Sequence, residues 1–534
     1  MFDRLVDGIC AALWNLHPGE AVYLGKHEYD GVVPDLTGAH VEAELDRLRG
    51  LRDRLDGMDG LDAEQVIDRS QLVAAVDSTL IAWEQIRGWR VNPMTPIPLL
   101  DITLYLTRGY APFGHRAEQA AAVLEQAPRV LDQARACLEP VVPTVFAEWA
   151  IRLATGMAES LIHDLPGEAG GDPVAAGALT DAGAAAAAAL RDYAAWIETD
   201  LLPASSDAFA VGGEVLEDML RRGELIDLDL DALLAMGEAD LEANLDALHA
   251  AAAEVDSSLS PAEAYRAHVA SVHPAGGDLI EAAGGMLEDI RRFLVEHHII
   301  TIPSEVRAVV AETPRHLRWA FAMMNTPGPY ETGATEAFYY VTPVEPDWPP
   351  EKAEEWRNAL NLYALEDISI HEAYPGHYVH FLHYDAAPTE VSRRVASYAF
   401  TEGWAHYAEQ MMWEEGYRNG DPRFHMAQLA EALVRNCRFV AAISMHAHGM
   451  SLDEATRLFM DHALCDETPA RAEAERGAFD PGYYSYTLGK LQILRLREDC
   501  RRAESGFDLR AFHDRLLSRG APPVELMRKV MLSS

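Results

Sequence analysis

Apolar residues recur at steps of three and four over most of this 534-residue chain, the spacing of amphipathic helices. The pattern predicts helices over residues 1–24, 41–55, 63–89, 116–138 and 142–162, then an alanine-rich helix to Leu201. Further helices are expected over residues 225–255 and 278–297. Pro93, Pro96 and Pro98 interrupt the series, and the Gly/Pro/Asp-rich interval 166–177 reads as a loop. Ser260, Pro261 and Glu263 fit the N-cap, N1 and N3 positions of a helix start. In the C-terminal half, helices are predicted over residues 361–372, 392–415, 427–446, 451–462 and 486–503. No fixed-period repeat is present, which argues against a solenoid.

Two stretches, 299–302 and 337–342, have the β-branched and aromatic character of strands. The expected fold is therefore mainly α with a small β-ribbon. The change of pattern near residue 300 suggests an N-terminal helical part, 1–300, and a C-terminal part, 301–534, with one intertwined unit as the alternative.

The C-terminal part holds the candidate chemistry. His371-Glu372-Ala373-Tyr374-Pro375-Gly376-His377 places a glutamate between two histidines, and Glu402 follows 25 residues after His377. Such a set suits a mononuclear zinc site, with a fourth position left for a water of lowered pKa. The spacing is not HExxH. Six residues put His377 roughly 120° from His371 on a regular helix, so an unbroken helix cannot bring both to one ion. Pro375 lacks an N–H and its ring obstructs the preceding turn, and Gly376 tolerates unusual backbone angles, so a break inside the motif is expected. Read alone, the motif also fits a helix end followed by a core histidine. Glu402, however, lies on an otherwise apolar stripe with Tyr398 and His406, where a carboxylate is costly unless paired or metal-bound. Glu409, seven residues on, shares that face and could orient a metal-bound histidine from behind.

HEAYPGH, EGWAHYAE and the later PGYYSYTLGKLQILRLR resemble the bacterial family known as domain of unknown function 885, as do Leu24–Asp30 and Gly212-Gly213-Glu214. That family in turn resembles helical zinc peptidases such as thimet oligopeptidase and carboxypeptidase Taq. The resemblance implies a large helical zinc-peptidase-like fold with a deep channel, Zn2+ held by His371, His377 and Glu402, and Glu372 as general base. It also implies that Tyr339 and Tyr340 lie on an edge strand that pairs with an extended substrate, that Tyr486 donates to the oxyanion, and that His446 contacts substrate. The segment Pro481-Gly482-Tyr483 departs from the family pattern by one residue, which leaves the choice among Tyr483, Tyr484 and Tyr486 open.

Charge and cysteine usage narrow the class. The formal net charge of −41 disfavours nucleic acid and anionic membrane surfaces, whose affinity comes from Lys and Arg. Five separated cysteines without a CxxC pair read as reduced thiols. The acidic N-terminus has no apolar h-region and the run Ala184–Ala189 is too short to span a bilayer, so a cytoplasmic location is expected. His380 and His383 form a rival ligand set, and Arg435, Arg438, Arg495 and Arg497 are candidates for a substrate carboxylate. The favoured reading is a zinc-dependent hydrolase of a peptide or other small amide. The same residues also suit a non-haem iron enzyme, and a non-catalytic helical binding protein is the third possibility. The sequence leaves the oligomeric state undetermined.

Overall fold

A computed structural model describes residues 1–168, 172–274, 278–318, 320–345 and 348–532. The mainly α fold is as expected, with one three-stranded sheet among the described residues. Two compact units are present: Met1–Val211 with Pro327–Thr335, and Gly212–Thr326 with Glu336–Ser534.

In the first unit, α1 (Phe2–Leu16) packs on α2 (Gly38–Asp56), and α3 (Ala63–Leu80) follows with an Asp62–Gln65 capping box. The alanine-rich α6 (Pro173–Trp196) packs against α4 (Phe113–Glu125) and α5 (Thr144–His163). Its buried Ala182, Ala186 and Ala187 permit that close approach. By length and composition Pro173–Ala204 could also cross a membrane. The predicted loop 166–177 is largely helical, with 169–171 outside the described residues. The segment Leu24–Asp30 grips Pro327–Thr335: His27 Nε2 lies 3.0 Å from Glu331, Tyr330 N donates to the Leu24 carbonyl at 3.0 Å, and Lys26 Nζ sits 3.8 Å from the Tyr330 ring centroid.

The second unit starts well before residue 300. Its α7 (Leu230–Asp256) packs along α12 (Pro422–Ala447), where Asp240 accepts from Asn436 at 2.7 Å and from Lys490 at 2.6 Å. Phe439 fills the space over Gly237, where an added Cβ would lie 2.1 Å from the ring. These contacts bind residues 230–256 to the C-terminal helices, so the division falls at Val211–Gly212 instead of near 300.

After α8 (Leu279–Glu296) come β1 (Val309–Glu312), β2 (Ala322–Asn325) and β3 (Phe338–Val341) in the order β1-β3-β2. β3 pairs parallel with β1 and antiparallel with β2. Residues 299–302 form no strand; Ile299 and Ile300 are buried as the chain leaves α8, and apolar burial explains their composition.

The remaining helices carry the site: α9 (Leu362–Glu372), α10 (His377–His383), α11 (Tyr398–Glu414), α12, α13 (Glu467–Phe479) and α14 (Ser485–Ala503). α11 and α14 meet at two glycines. A Cβ on Gly403 would lie 2.3 Å from Gly489 Cα, and one on Gly489 would lie 1.8 Å from the Ala399 carbonyl oxygen. That backbone-to-backbone crossing places Tyr398 and Tyr486, near the N-terminal ends of the two helices, side by side.

Candidate metal centre

The motif breaks where the sequence predicts. α9 ends at Glu372 and α10 begins at His377, with Ala373–Gly376 forming the turn. The Tyr374–Pro375 peptide is cis. Gly376 has φ −62°, so no left-handed conformation calls for glycine here. Space does: a Cβ at this position would lie 1.7 Å from the His371 carbonyl oxygen. Gly376 N instead donates to the Ile370 carbonyl at 3.0 Å, and His380 N donates to the Gly376 carbonyl at 3.0 Å, which starts the next helix.

This fold-back brings the two imidazoles to 4.9 Å between centroids at 88°. Glu402 reaches them from α11. Its Oε2 lies 3.5 Å from His371 Nε2 and 3.6 Å from His377 Nε2. One donor atom from each residue falls within 4.8 Å of the others. Metal–ligand bonds of about 2.0–2.2 Å in tetrahedral geometry require donors roughly 3.3–3.6 Å apart, which the two measured edges match. The donor set of two imidazoles and one carboxylate therefore fits zinc.

Glu409 stands behind the site. It is fully buried on α11, and its Oε1 lies 2.5 Å from His371 Nδ1 while its Oε2 lies 3.0 Å from His406 Nδ1. Arg435 of α12 adds an ion pair to Oε1 at 3.2 Å. Such a carboxylate fixes which imidazole nitrogen faces a metal and raises its basicity. Burial pulls the His371 pKa down, but Glu402 and Glu409 on its two nitrogens overcome this and hold it up at about 10. Burial likewise pushes Glu402 up, and the two histidines more than reverse it, holding the carboxylate well below its usual range. Both shifts describe a pocket that favours positive charge at its centre. Asp367, one turn before His371, is buried with neither carboxylate oxygen hydrogen-bonded. Burial, with Glu409 and Glu431 nearby, pushes its pKa up and favours the neutral acid.

Glu372 accepts a hydrogen bond from Met324 N of β2 at 2.8 Å, so the small sheet does lie beside the motif. On the other side, the Tyr486 and Tyr398 hydroxyls are 2.9 Å apart. Burial, with the charge of Glu402, raises the pKa of both phenols. Of the C-terminal tyrosines, Tyr483 instead donates to Glu473 at 2.6 Å, and Tyr484 is buried.

Three expectations need correction. Tyr339 and Tyr340 belong to the central strand, whose two edges are both paired, so β3 cannot accept a substrate strand. Tyr339 is fully buried with its hydroxyl 3.0 Å from Ser369 Oγ of α9, and Tyr340 stacks on Phe338. Both therefore hold the sheet in place. His446 is buried with Nε2 donating to the Gly477 carbonyl at 2.9 Å, which makes it a bridge between α12 and α13.

The rival histidines are similarly occupied. His380 Nε2 lies 3.1 Å from the Gly520 carbonyl and His383 Nε2 lies 2.9 Å from that of Thr301. Among the arginines, Arg435 pairs with Glu409 and Glu431, Arg438 with Glu473, and Arg497 with Glu414, while Arg495 is exposed. Tyr398, His406 and Asp367 are the neighbours that sequence reasoning did not single out for roles. Tyr398 and His406 were visible only as members of the Glu402 stripe.

Against known families, residues 18–531 match the one described as bacterial protein of unknown function, DUF885. The chain belongs to this family. No curated protein matches it. Two solved structures share the DUF885 chain's fold. One is a candidate lipoprotein of unknown function from Shewanella oneidensis, 23% identical with a TM-score of 0.81 over 100% of both chains. The other, a candidate lipoprotein from Colwellia psychrerythraea, is 18% identical with a TM-score of 0.81, covering 99% of this chain and 98% of its own. At these identities the likeness shows the fold alone.

Proposed function

We propose that this DUF885 protein is a zinc-dependent hydrolase of peptide or other small amide bonds. The observation that carries the reading is the convergence of His371, His377 and Glu402 within 4.8 Å, from three helices, with Glu409 buried behind His371. A bound zinc would supply Lewis-acid polarisation of a carbonyl and a water of near-neutral pKa. The resemblance to helical zinc peptidases supports the same choice of metal and chemistry.

The chain's own residues take the remaining roles. Glu372 follows the first ligand directly and is held by the Met324 N–H, which leaves its other carboxylate oxygen to take the proton from an attacking water. Tyr486, paired with Tyr398, is the donor for the oxygen on which negative charge develops. Of the two edge strands, β2 is the one tied to Glu372, so an extended peptide would pair along the rest of its edge. Glu409 and Arg435 hold His371 and do not meet substrate.

The test is a screen of peptide and acyl-amino-acid libraries with the zinc-loaded chain and its Glu372→Gln variant. Hydrolysis by the parent and a loss of several orders of magnitude in a variant that keeps zinc are expected, since base and metal act as a unit. Undiminished cleavage by Glu372→Gln would remove this mechanism.

A further inference from the structure

Two guanidinium groups flank the ring of Tyr483. Those of Arg438 and Arg476 each lie 4.7 Å from its centroid. Arg438 forks Glu473 through Nε and Nη2 at 2.7 and 2.8 Å, and the same carboxylate accepts the Tyr483 hydroxyl at 2.6 Å. The guanidinium of Arg476, half-buried on α13, has no hydrogen bond or ion pair to any described residue, and its contact is the Tyr483 face. The other carboxylate at hand, Asp480, accepts the Gly482 N–H at 3.1 Å, and burial pushes its pKa up. The charges of Arg438 and Arg476 thus act on two carboxylates, Glu473 and Asp480, of which only Glu473 is hydrogen-bonded to an arginine. The guanidinium nitrogens of Arg476 are not among the buried unpaired atoms, so they stand open to solvent or to a ligand.

The place matters as much as the vacancy. Arg438 lies 5.4 Å from the Tyr486 ring centroid, and Tyr486 meets Tyr398, one turn before Glu402. Burial lowers the pKa of Arg476, but Tyr483, and less strongly Tyr486 and Tyr398, lie near enough to raise it. His446 holds the carbonyl of Gly477, the residue after Arg476, at 2.9 Å, which fixes the backbone that presents the guanidinium. A positively charged fork thus stands beside the tyrosine pair that borders the candidate metal ligand.

We propose that Arg476 anchors a carboxylate of the substrate, so that the amides taken are those whose amine half carries a free carboxylate. The terminal bond of a short peptide and the bond of an N-acyl amino acid share this chemistry. The planar guanidinium matches a carboxylate with two parallel hydrogen bonds. In the reaction the amide C–N bond breaks, the carbonyl carbon gains the oxygen of water, and the released amine takes up a proton from that water. The proposal rests on the hydrolase reading for the reaction and on Arg476 alone for the selectivity.

The test measures binding and cleavage in parallel with the zinc-loaded full chain. Three probes are compared: N-acetyl tripeptides with a free C-terminus, the same tripeptides as C-terminal amides, and N-acetyl amino acids. Equilibrium binding is read by ligand-detected NMR. The free carboxylates should bind on the order of 10–100-fold more tightly than the amides, with the better of the two carboxylate probes naming the source. Arg476→Gln should collapse that preference and Arg476→Lys should restore part of it, which also serves if the glutamine variant folds poorly. Equal binding of acids and amides by the parent, or a preference that survives in Arg476→Gln, overturns the anchor. Carboxylate preference without cleavage upholds the anchor while the hydrolase reading fails; cleavage without preference does the reverse.

Discussion

Glu402 and Glu409 sit seven residues apart on one face of α11, and Glu409 Oε1 lies 2.5 Å from His371 Nδ1 while Glu402 Oε2 lies 3.5 Å from His371 Nε2. One helix thus grips both nitrogens of a histidine carried by another. Two carboxylates around a single imidazole repel one another unless positive charge lies between them, which a metal ion held by Glu402 would supply.

Glu409→Gln should therefore weaken zinc binding by about 10–100-fold without abolishing it. The variant also leaves Arg435 with only Glu431 as an ionic partner among the described residues, so some loss of stability accompanies it. Competition against a chelator of known affinity checks the first effect, and thermal unfolding of the apo-protein checks the second.

Gly376→Ala tests the fold-back. The added Cβ would meet the His371 carbonyl oxygen at 1.7 Å, and that oxygen is backbone and cannot step aside cheaply. A destabilisation of about 1–3 kcal/mol or more is expected, together with loss of zinc as the histidines separate. Urea unfolding and metal content measured on the same sample would check both.

Much of this site was legible in the sequence because the chemistry is concentrated in two short motifs. The six-residue spacing of His371 and His377, together with Pro375, required a break, and the stripe through Glu402 and Glu409 required partners. The need for glycine at 376 was legible from its backbone freedom, while the crowding by the His371 carbonyl oxygen was not. The sheet was harder. β1 and β2 are four residues each, and Ala322–Asn325 has no alternation or β-branching to mark it. Burial gave Ile299 and Ile300 a strand-like composition without a strand, and the edge position that the resemblance implied for Tyr339 could not be checked because pairing partners cannot be read from one strand. Arg476 escaped notice because a sequence does not say which arginines find carboxylates.

Tyr486→Phe should lower turnover on the order of 10²–10³-fold while zinc and fold are kept, the usual cost of one oxyanion donor. Tyr398→Phe removes only the partner of that hydroxyl and should cost less. Single-turnover rates for the two variants with the best substrate would order them, and an equal or larger loss in Tyr398→Phe would exchange their roles.

Glu224 makes stability depend on pH. Burial holds its pKa up at about 7, against hydrogen bonds from Ser397 Oγ at 2.7 Å and from the Ala399 backbone that pull it down. The folded state therefore keeps its proton between pH 4.5 and 7 while the unfolded chain releases it, so stability falls as pH rises through this window and levels off above it. The contribution amounts to roughly 3 kcal/mol at about 1.36 kcal/mol per unit. Glu224→Gln should remove it, which urea unfolding at pH 5 and pH 7.5 would reveal as a variant that gains on the parent at the higher pH.

Metal content decides whether His371, His377 and Glu402 form a zinc centre. Inductively coupled plasma mass spectrometry on the purified full chain, its His377→Ala variant and its Glu402→Ala variant reads stoichiometry without any knowledge of substrate. One zinc per chain is expected in the parent and substoichiometric zinc in both variants, each still folded. Full zinc retention in Glu402→Ala, or stoichiometric iron in place of zinc in the parent, would contradict it.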